Sequence, residues 1–396
     1  MRIFVNALSM DAPSGQHVLM GHLSQLAGWT ETKHEFLVLH HSRHAALARK
    51  LLPFGNVQFV EAPQICRHWT MRAMWESMAM PRMLRRLAAD RYFTPAGTIP
   101  PTCPIPHISL AQNPWCLVPE IHRSFGERMK ARLQRVAYRK AAINADLMVY
   151  NSRHMQVLYA QNAARAPVAP SIIAYQGIND ETHDLAERCR GKSDRKPLKV
   201  LAVSVMAHWK GIETVVRAIG ILHKRGIPAE LSLVGPWADV GYERFVRSVI
   251  AEEDLRDAVT ITGKVSVAEL HEHYATARVF SLMSRCESFG IPAVEAQAFG
   301  TPVVGSNTTA MAEIGGKGGV FGVPGDPLVA ADLMEPLLTD DRIWSAFSMA
   351  AIMNSQRFRW KQCSAPLMAI FESIRGTASG PEKRSLPKVA VTGGIE

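Results

Sequence analysis

A chain of 396 residues with 47% apolar residues is long enough for two domains with separate cores. No apolar run approaches the roughly 20 residues of a membrane helix, and MRIFVNALSM is too short an apolar start for a signal peptide; a cytoplasmic protein, or one peripheral at the inner membrane face, is expected. The six cysteines include no C-x-x-C pair, which argues against a zinc ribbon or a disulfide framework, and the net charge of +10 comes without a nucleic-acid-binding signature.

In chain order, RIFVNAL at 2–8 reads as a buried strand, SMDAPSGQ at 9–16 as a turn-rich loop, and 17–29 as a helix with Val18, Leu19, Leu23 and Leu26 on one side. This is the opening of a doubly wound α/β domain, without a full G-x-G-x-x-G. Strands are expected at 35–41 and 57–63, then a helix around 70–91 and a proline-rich loop at 95–106. Further strands are expected at 107–113, 146–153 and 171–179, with a long basic helix over 120–144. The basic residues cluster at Arg82, Arg85, Arg86 and Arg91, and at Arg123, Arg128, Lys130, Arg132, Arg135, Arg139 and Lys140. Such clusters are either solvated helix faces or surfaces for anionic lipid headgroups and phosphate-bearing acceptors.

The polar stretch 183–198 reads as a boundary, after which the strand–helix alternation restarts. The expected layout is an N-terminal domain over 1–183, a linker over 184–198 and a C-terminal domain over 199–354. A helix within 355–375 then returns to the N-terminal domain, and 376–396 is a tail without a core of its own.

Residues 281–309, SLMSRCESFGIPAVEAQAFGTPVVGSNTT, form the densest constellation. A strand ends near Ser284, a glycine-containing loop follows, a short helix stops at Gly300, and TPVVG makes the next strand. A loop that opens a helix gathers backbone N–H groups around an anion. Glu287 and Glu295 flank that loop, and ionised carboxylates accept hydrogen bonds from hydroxyls. Lys210, beside Gly211 in another strand-to-helix loop, suits a diphosphate. Together these residues suit a ligand with both phosphates and hydroxyls, such as a sugar nucleotide. The rival reading is a pair of surface acids on an ordinary helix.

The pattern Ser284-x-x-Glu287-Ser288-Phe289-Gly290-Ile291-Pro292-x-x-Glu295-Ala296, with Gly300-Thr301-Pro302-Val303-Val304, resembles the donor-binding signature of the retaining glycosyltransferases of family 4. The likeness extends to Lys210-Gly211, LVG at 233–235, ITGKV at 261–265 and GIN at 177–179. More loosely, NAL at 6–8, Ser14-Gly15 and QNP at 112–114 resemble members of surface-polysaccharide assembly. The resemblance implies a GT-B fold: two Rossmann-like α/β domains facing a central cleft.

It also implies residue roles. Gly15 would let the first loop approach the donor. Lys210 would bind the diphosphate and stabilise the leaving group. Glu287 would hold the transferred sugar, and Glu295 the ribose hydroxyls. Phe289, Gly290 and Ile291 would offer backbone N–H groups, and Lys264 and Val265 would meet the base. Two positions depart from the family pattern. Val205, or Met206 with a shifted loop, stands where a second phosphate-binding arginine is usual, with Arg285 as a candidate substitute. Asn113 stands where many members have a histidine near the reacting centre. Asn113 can hydrogen-bond a hydroxyl but cannot be a general base.

The implied reaction moves a sugar from a UDP- or GDP-sugar to a glycan or lipid-linked acceptor with retention, with no metal or other cofactor expected. A sugar-nucleotide epimerase and a non-catalytic GT-B subunit are the alternatives. For His40, His41, His107 and His122 the sequence offers no acid partner, and structural roles are expected. Asp11 is either a turn aspartate or an acceptor-site base. Trp209 and Trp237 stack on a ligand or pack beneath a loop.

Overall fold

The computed structural model describes all residues except 31–32, 45–50, 52, 191–193 and 374–396. The tail expected at 376–396 lies outside the described residues. Among these, the strands form two all-parallel sheets. The first runs β3-β2-β1-β4-β5-β6-β7, from β1 (Arg2–Asn6), β2 (Glu35–His40), β3 (Val57–Glu61), β4 (Arg91–Thr94), β5 (His107–Ala111), β6 (Leu147–Tyr150) and β7 (Ser171–Ile173). The second runs β10-β9-β8-β11-β12-β13, from β8 (Lys199–Val203), β9 (Glu230–Val234), β10 (Val259–Gly263), β11 (Val279–Leu282), β12 (Val303–Ser306) and β13 (Gly319–Gly322).

The central strands are short continuous apolar runs because helices cover both faces of a parallel sheet. Every residue of β8, β11 and β6 is buried. Each sheet reverses its winding once, between β1 and β4 and between β8 and β11. Loops leaving neighbouring strands at such a reversal diverge and open a crevice, which is where ligands bind in this architecture. The loops after β1 and β4, and those after β8 and β11, therefore carry the site.

The sequence reading misses β4, the partner of β1 at the first reversal. RYFT is four residues long, too short to display a periodicity. The glycine-rich segment GVFG forms β13, which completes the second sheet. The first helix starts at Pro13, so Gly15 lies in its first turn and not in a loop before it.

The 184–198 linker also needs correction, because Asp180–Cys189 is a helix. It buries Thr182, His183 and Ala186. Ile178 and Ala186 join the core of the second half. Its apolar positions are few because only a narrow stripe packs, against the helices Ile291–Ala298 and Val267–Thr276.

The helix Trp360–Ser373 crosses back to the first half, where Leu367, Ile370 and Phe371 enter the core built on β1 and β5. Trp360 seats this crossing. Its indole packs against His17 and His22, and a Cβ at Gly21 or Gly177 would fall 2.1 or 2.7 Å from its ring.

Candidate active site

The sequence of the β11 loop dictates its shape. Gly290 has φ +97°, which a side chain would strain. It caps the helix Ile291–Ala298, whose second residue, Pro292, lacks an N–H that would be unpaired there in any case. The aromatic ring of Phe289 is buried against Tyr175 and Phe358. This anchor leaves Glu287 on the cleft side. Gly211, with φ +66°, lies so close to β11 that a Cβ would sit 2.3 Å from the Met283 carbonyl oxygen. That approach brings the β8 loop against the β11 loop. Lys210 Nζ donates to Glu287 Oε2 at 2.6 Å, and both side chains are mostly buried.

Gly15, Asn113, Lys210, Glu287, Phe289, Gly290 and Ile291 line one cavity of about 620 Å³ between the two halves. Val205 and Trp209 line it too. Its volume falls within the range of about 300–1,000 Å³ usual for small-molecule sites.

Glu295 lies one turn into the helix. Its carboxylate Oε2 accepts from the Tyr274 hydroxyl at 2.8 Å, and burial pushes its acid up to about 7 against that hydrogen bond. Lys264 and Val265 are not brought to this cavity. They line a separate hollow with Lys196, Lys199 and Glu269, because β10 is the edge strand, two strands from β8.

Arg285 does not replace the arginine absent at Val205. Its guanidinium donates to Glu213 Oε1 at 2.8 Å and to the His208 carbonyl at 3.1 Å, and it does not line the cavity. Asn113 Oδ1 accepts from the Trp115 N–H at 3.0 Å, an Asx turn that holds the loop after β5. Trp237 stays off the cavity, bridged to Met206 and packed on Tyr242.

Sequence reasoning missed Arg72, Gln176 and Ser204, which line the cavity together with Gln112 of the QNP motif. Arg72 reaches it from the helix Trp69–Arg86 in the first half, and its guanidinium also donates to the Leu8 carbonyl. No motif contains Arg72, Gln176 or Ser204; the fold assembles them.

The histidines also need correction, since two have acid partners in space. His107 Nδ1 is 2.8 Å from Asp146, and His41 Nε2 is 3.2 Å from Asp11. His44 shares Asp11 at 3.5 Å. His40 and His122 approach backbone carbonyls instead.

The halves are latched beside the site. Asn151 Nδ2 donates to Ser288 Oγ at 3.2 Å, and Ser152 Oγ donates to the Ser288 carbonyl at 2.8 Å. The Glu313 carboxylate accepts from the backbone N–H groups of Arg153 and His154 and from the Tyr175 hydroxyl. The Ser288 bonds tie residues 151–152 to the loop that carries Glu287, and the Glu313 bonds tie residues 153–154 to the helix Met311–Gly315.

Two facing Rossmann-like domains with a cleft at their strand reversals define the GT-B fold, and solved structures share it. The chain aligns with a glycosyltransferase from Rickettsia africae at a TM-score of 0.69 and 15% identity, covering 94% of this chain and 97% of that one. It aligns with the Anabaena protein HepE, solved in complex with UDP and glucose, at 0.68 and 18%, covering 94% and 100%.

Residues 186–355 match the family described as "Glycosyl transferases group 1". The D-inositol 3-phosphate glycosyltransferase of Corynebacterium diphtheriae is 29% identical over 66% of this chain and 63% of its own length. The O-antigen chain mannosyltransferase B of Escherichia coli is 29% identical over 44% and 45%. The chain thus spans less than two thirds of these relatives' length.

Proposed function

We propose that the protein is a retaining glycosyltransferase that moves a sugar from a UDP- or GDP-sugar to a hydroxyl of a glycan or lipid-linked glycan in polysaccharide assembly. The observation that carries this reading is the Lys210–Glu287 pair at the start of the 291–298 helix, with Gly15 lining the same cavity from the other half.

In this reading the second half binds the donor and the first half the acceptor. Lys210 neutralises the diphosphate together with the N–H groups of Gly290 and Ile291. Positive charge at the leaving group is then supplied without a divalent ion. Glu287 accepts hydrogen bonds from the sugar hydroxyls, and Glu295 from the ribose. The bond from the anomeric carbon to the phosphate oxygen breaks as the acceptor oxygen bonds on the same face, and the acceptor proton passes to the leaving phosphate. The chain contributes position and charge stabilisation rather than a nucleophile. The relatives named for inositol phosphate and O-antigen chains support a hydroxyl acceptor.

An anionic membrane surface fits the helix Phe125–Asn144. Phe125, Met129, Leu133 and Val136 are exposed along it at helical spacing, amid Arg128, Arg132 and Arg139. Apolar side chains with interleaved cations suit a peripheral, in-plane contact. Among the described residues no helix is long and apolar enough to cross a membrane.

The test is calorimetry with a panel of UDP- and GDP-sugars, followed by product analysis with and without acceptor. Saturable binding of one donor and acceptor-dependent glycoside formation are expected. Binding of none would indicate a non-catalytic subunit, and a changed sugar nucleotide without acceptor would indicate an epimerase. Co-flotation with anionic but not neutral vesicles tests the membrane contact.

A further inference from the structure

Asp11, His41 and His44 lie outside the donor machinery and converge on one point. Asp11 belongs to the β1 loop, next to Met10 and Ala12, which line the cleft. His41 directly follows β2, and His44 closes the 3₁₀ turn Ser42–His44. Three residues per turn set His41 and His44 one above the other, and their rings stack with centroids 3.8 Å apart.

Both imidazoles aim Nε2 at the same Asp11 oxygen, Oδ1, from 3.2 and 3.5 Å. All three potential donor atoms lie within 4.8 Å of one another. A tetrahedral ion with bonds of about 2.0–2.1 Å spaces its ligand atoms about 3.4 Å apart, so the two measured separations match edges of such a polyhedron.

The contact of His44 with Asp11 is long for a hydrogen bond. Its ring is fully buried, and Nδ1 has no hydrogen-bond partner among the described residues. The other Asp11 oxygen, Oδ2, is 3.9 Å from the Arg72 guanidinium, which orients the carboxylate as outer partners orient metal ligands. The Asp11 side chain is about half exposed, which leaves an approach from solvent.

We propose that Asp11, His41 and His44 form a binding site for one divalent transition-metal ion of the zinc class. Two imidazoles and one carboxylate favour such an ion over magnesium or calcium, which prefer all-oxygen shells. The bound ion ties the β1 loop, and with it the start of the Gly15 helix, to the turn after β2. It is separate from the donor diphosphate, for which Lys210 serves, and it stands whether or not the transferase reading does.

The test uses the full chain, freed of any purification tag and of metal, titrated with zinc chloride by calorimetry. Magnesium chloride serves as the control. One zinc per chain is expected, with no magnesium heat. Asp11→Asn and His44→Ala should each weaken zinc binding at least tenfold. Circular dichroism checks their folding; if His44→Ala does not fold, the half-exposed Asp11→Asn decides. Absence of zinc binding in the unmodified chain, or undiminished binding in a folded variant, overturns the proposal. The second result would assign the zinc to cysteines or other histidines.

Discussion

Lys210 Nζ and Glu287 Oε2 are 2.6 Å apart although 77 residues separate them in the chain. Their loops leave β8 and β11, which pair directly at the winding reversal of the second sheet. The adjacency is therefore a property of strand order, and Gly211 permits the final approach.

Because the two side chains neutralise each other in a mostly buried place, removing either leaves an uncompensated charge there. Lys210→Ala and Glu287→Ala should each lower transfer activity by about 100-fold or more. Steady-state kinetics with the donor found by calorimetry measures the loss. Unchanged turnover in both variants would sink the catalytic assignment.

Val205 is 53% exposed and lines the cavity, so a long side chain fits there without repacking. Val205→Arg should restore a second phosphate partner. A charge-assisted hydrogen bond of about 1.5 kcal/mol corresponds to roughly tenfold tighter UDP binding. Calorimetry with UDP gives the ratio, and weaker binding would show that this loop faces away from the phosphates.

Burial raises Glu295 to about 7, above its unfolded value. A carboxyl shifted this way favours the folded state when protonated. Its contribution is full below about pH 4.5 and is lost as pH rises through about 7. Glu295→Gln should flatten that part of the stability profile and raise the melting temperature at pH 8 by about 2 °C. Thermal unfolding from pH 5 to 8 measures both effects. The same variant should bind UDP more weakly than the unmodified chain.

His22 has the opposite sign. Its ring is buried against Trp360, with Nδ1 2.9 Å from Ser364 Oγ, and burial followed by the His17 charge lowers it to about 3. The neutral ring therefore supports folding above about pH 6.5, and this support is lost as pH falls towards 3. Undocking of the 360–373 helix should begin in that window. Hydrogen exchange of residues 360–373 at pH 7 and pH 5 reads it, and His22→Asn should remove the pH dependence. Equal protection at both pH values in the unmodified chain would contradict it.

The cavity-lining residues Glu287, Phe289, Gly290 and Ile291 were legible in the sequence because one contiguous stretch holds them, whereas Glu295 of the same stretch does not line the cavity. Their spacing follows local rules of loop, helix start and cap. Lys210 was legible for the same reason, as a lysine beside a left-handed glycine at a helix start. Arg72, Gln176 and Ser204 were not, because each reaches the cavity from a segment whose own pattern reports only its packing. Arg285 illustrates the reverse error. It is close to the signature in sequence, yet its partners Glu213 and the His208 carbonyl draw it away from the cavity.

By itself, then, the sequence determined the alternating strands and helices, the two-domain class and the loop that carries Glu287, since burial periodicity and turn chemistry act within a few residues. Tertiary structure alone decided the rest. Strand order brought Lys210 to Glu287, and set Lys264 and Val265 apart on the edge strand β10. The packing of the β1 loop on the turn after β2 gathered Asp11, His41 and His44. Such meetings depend on which strands become neighbours, and that is settled by packing the whole sheet.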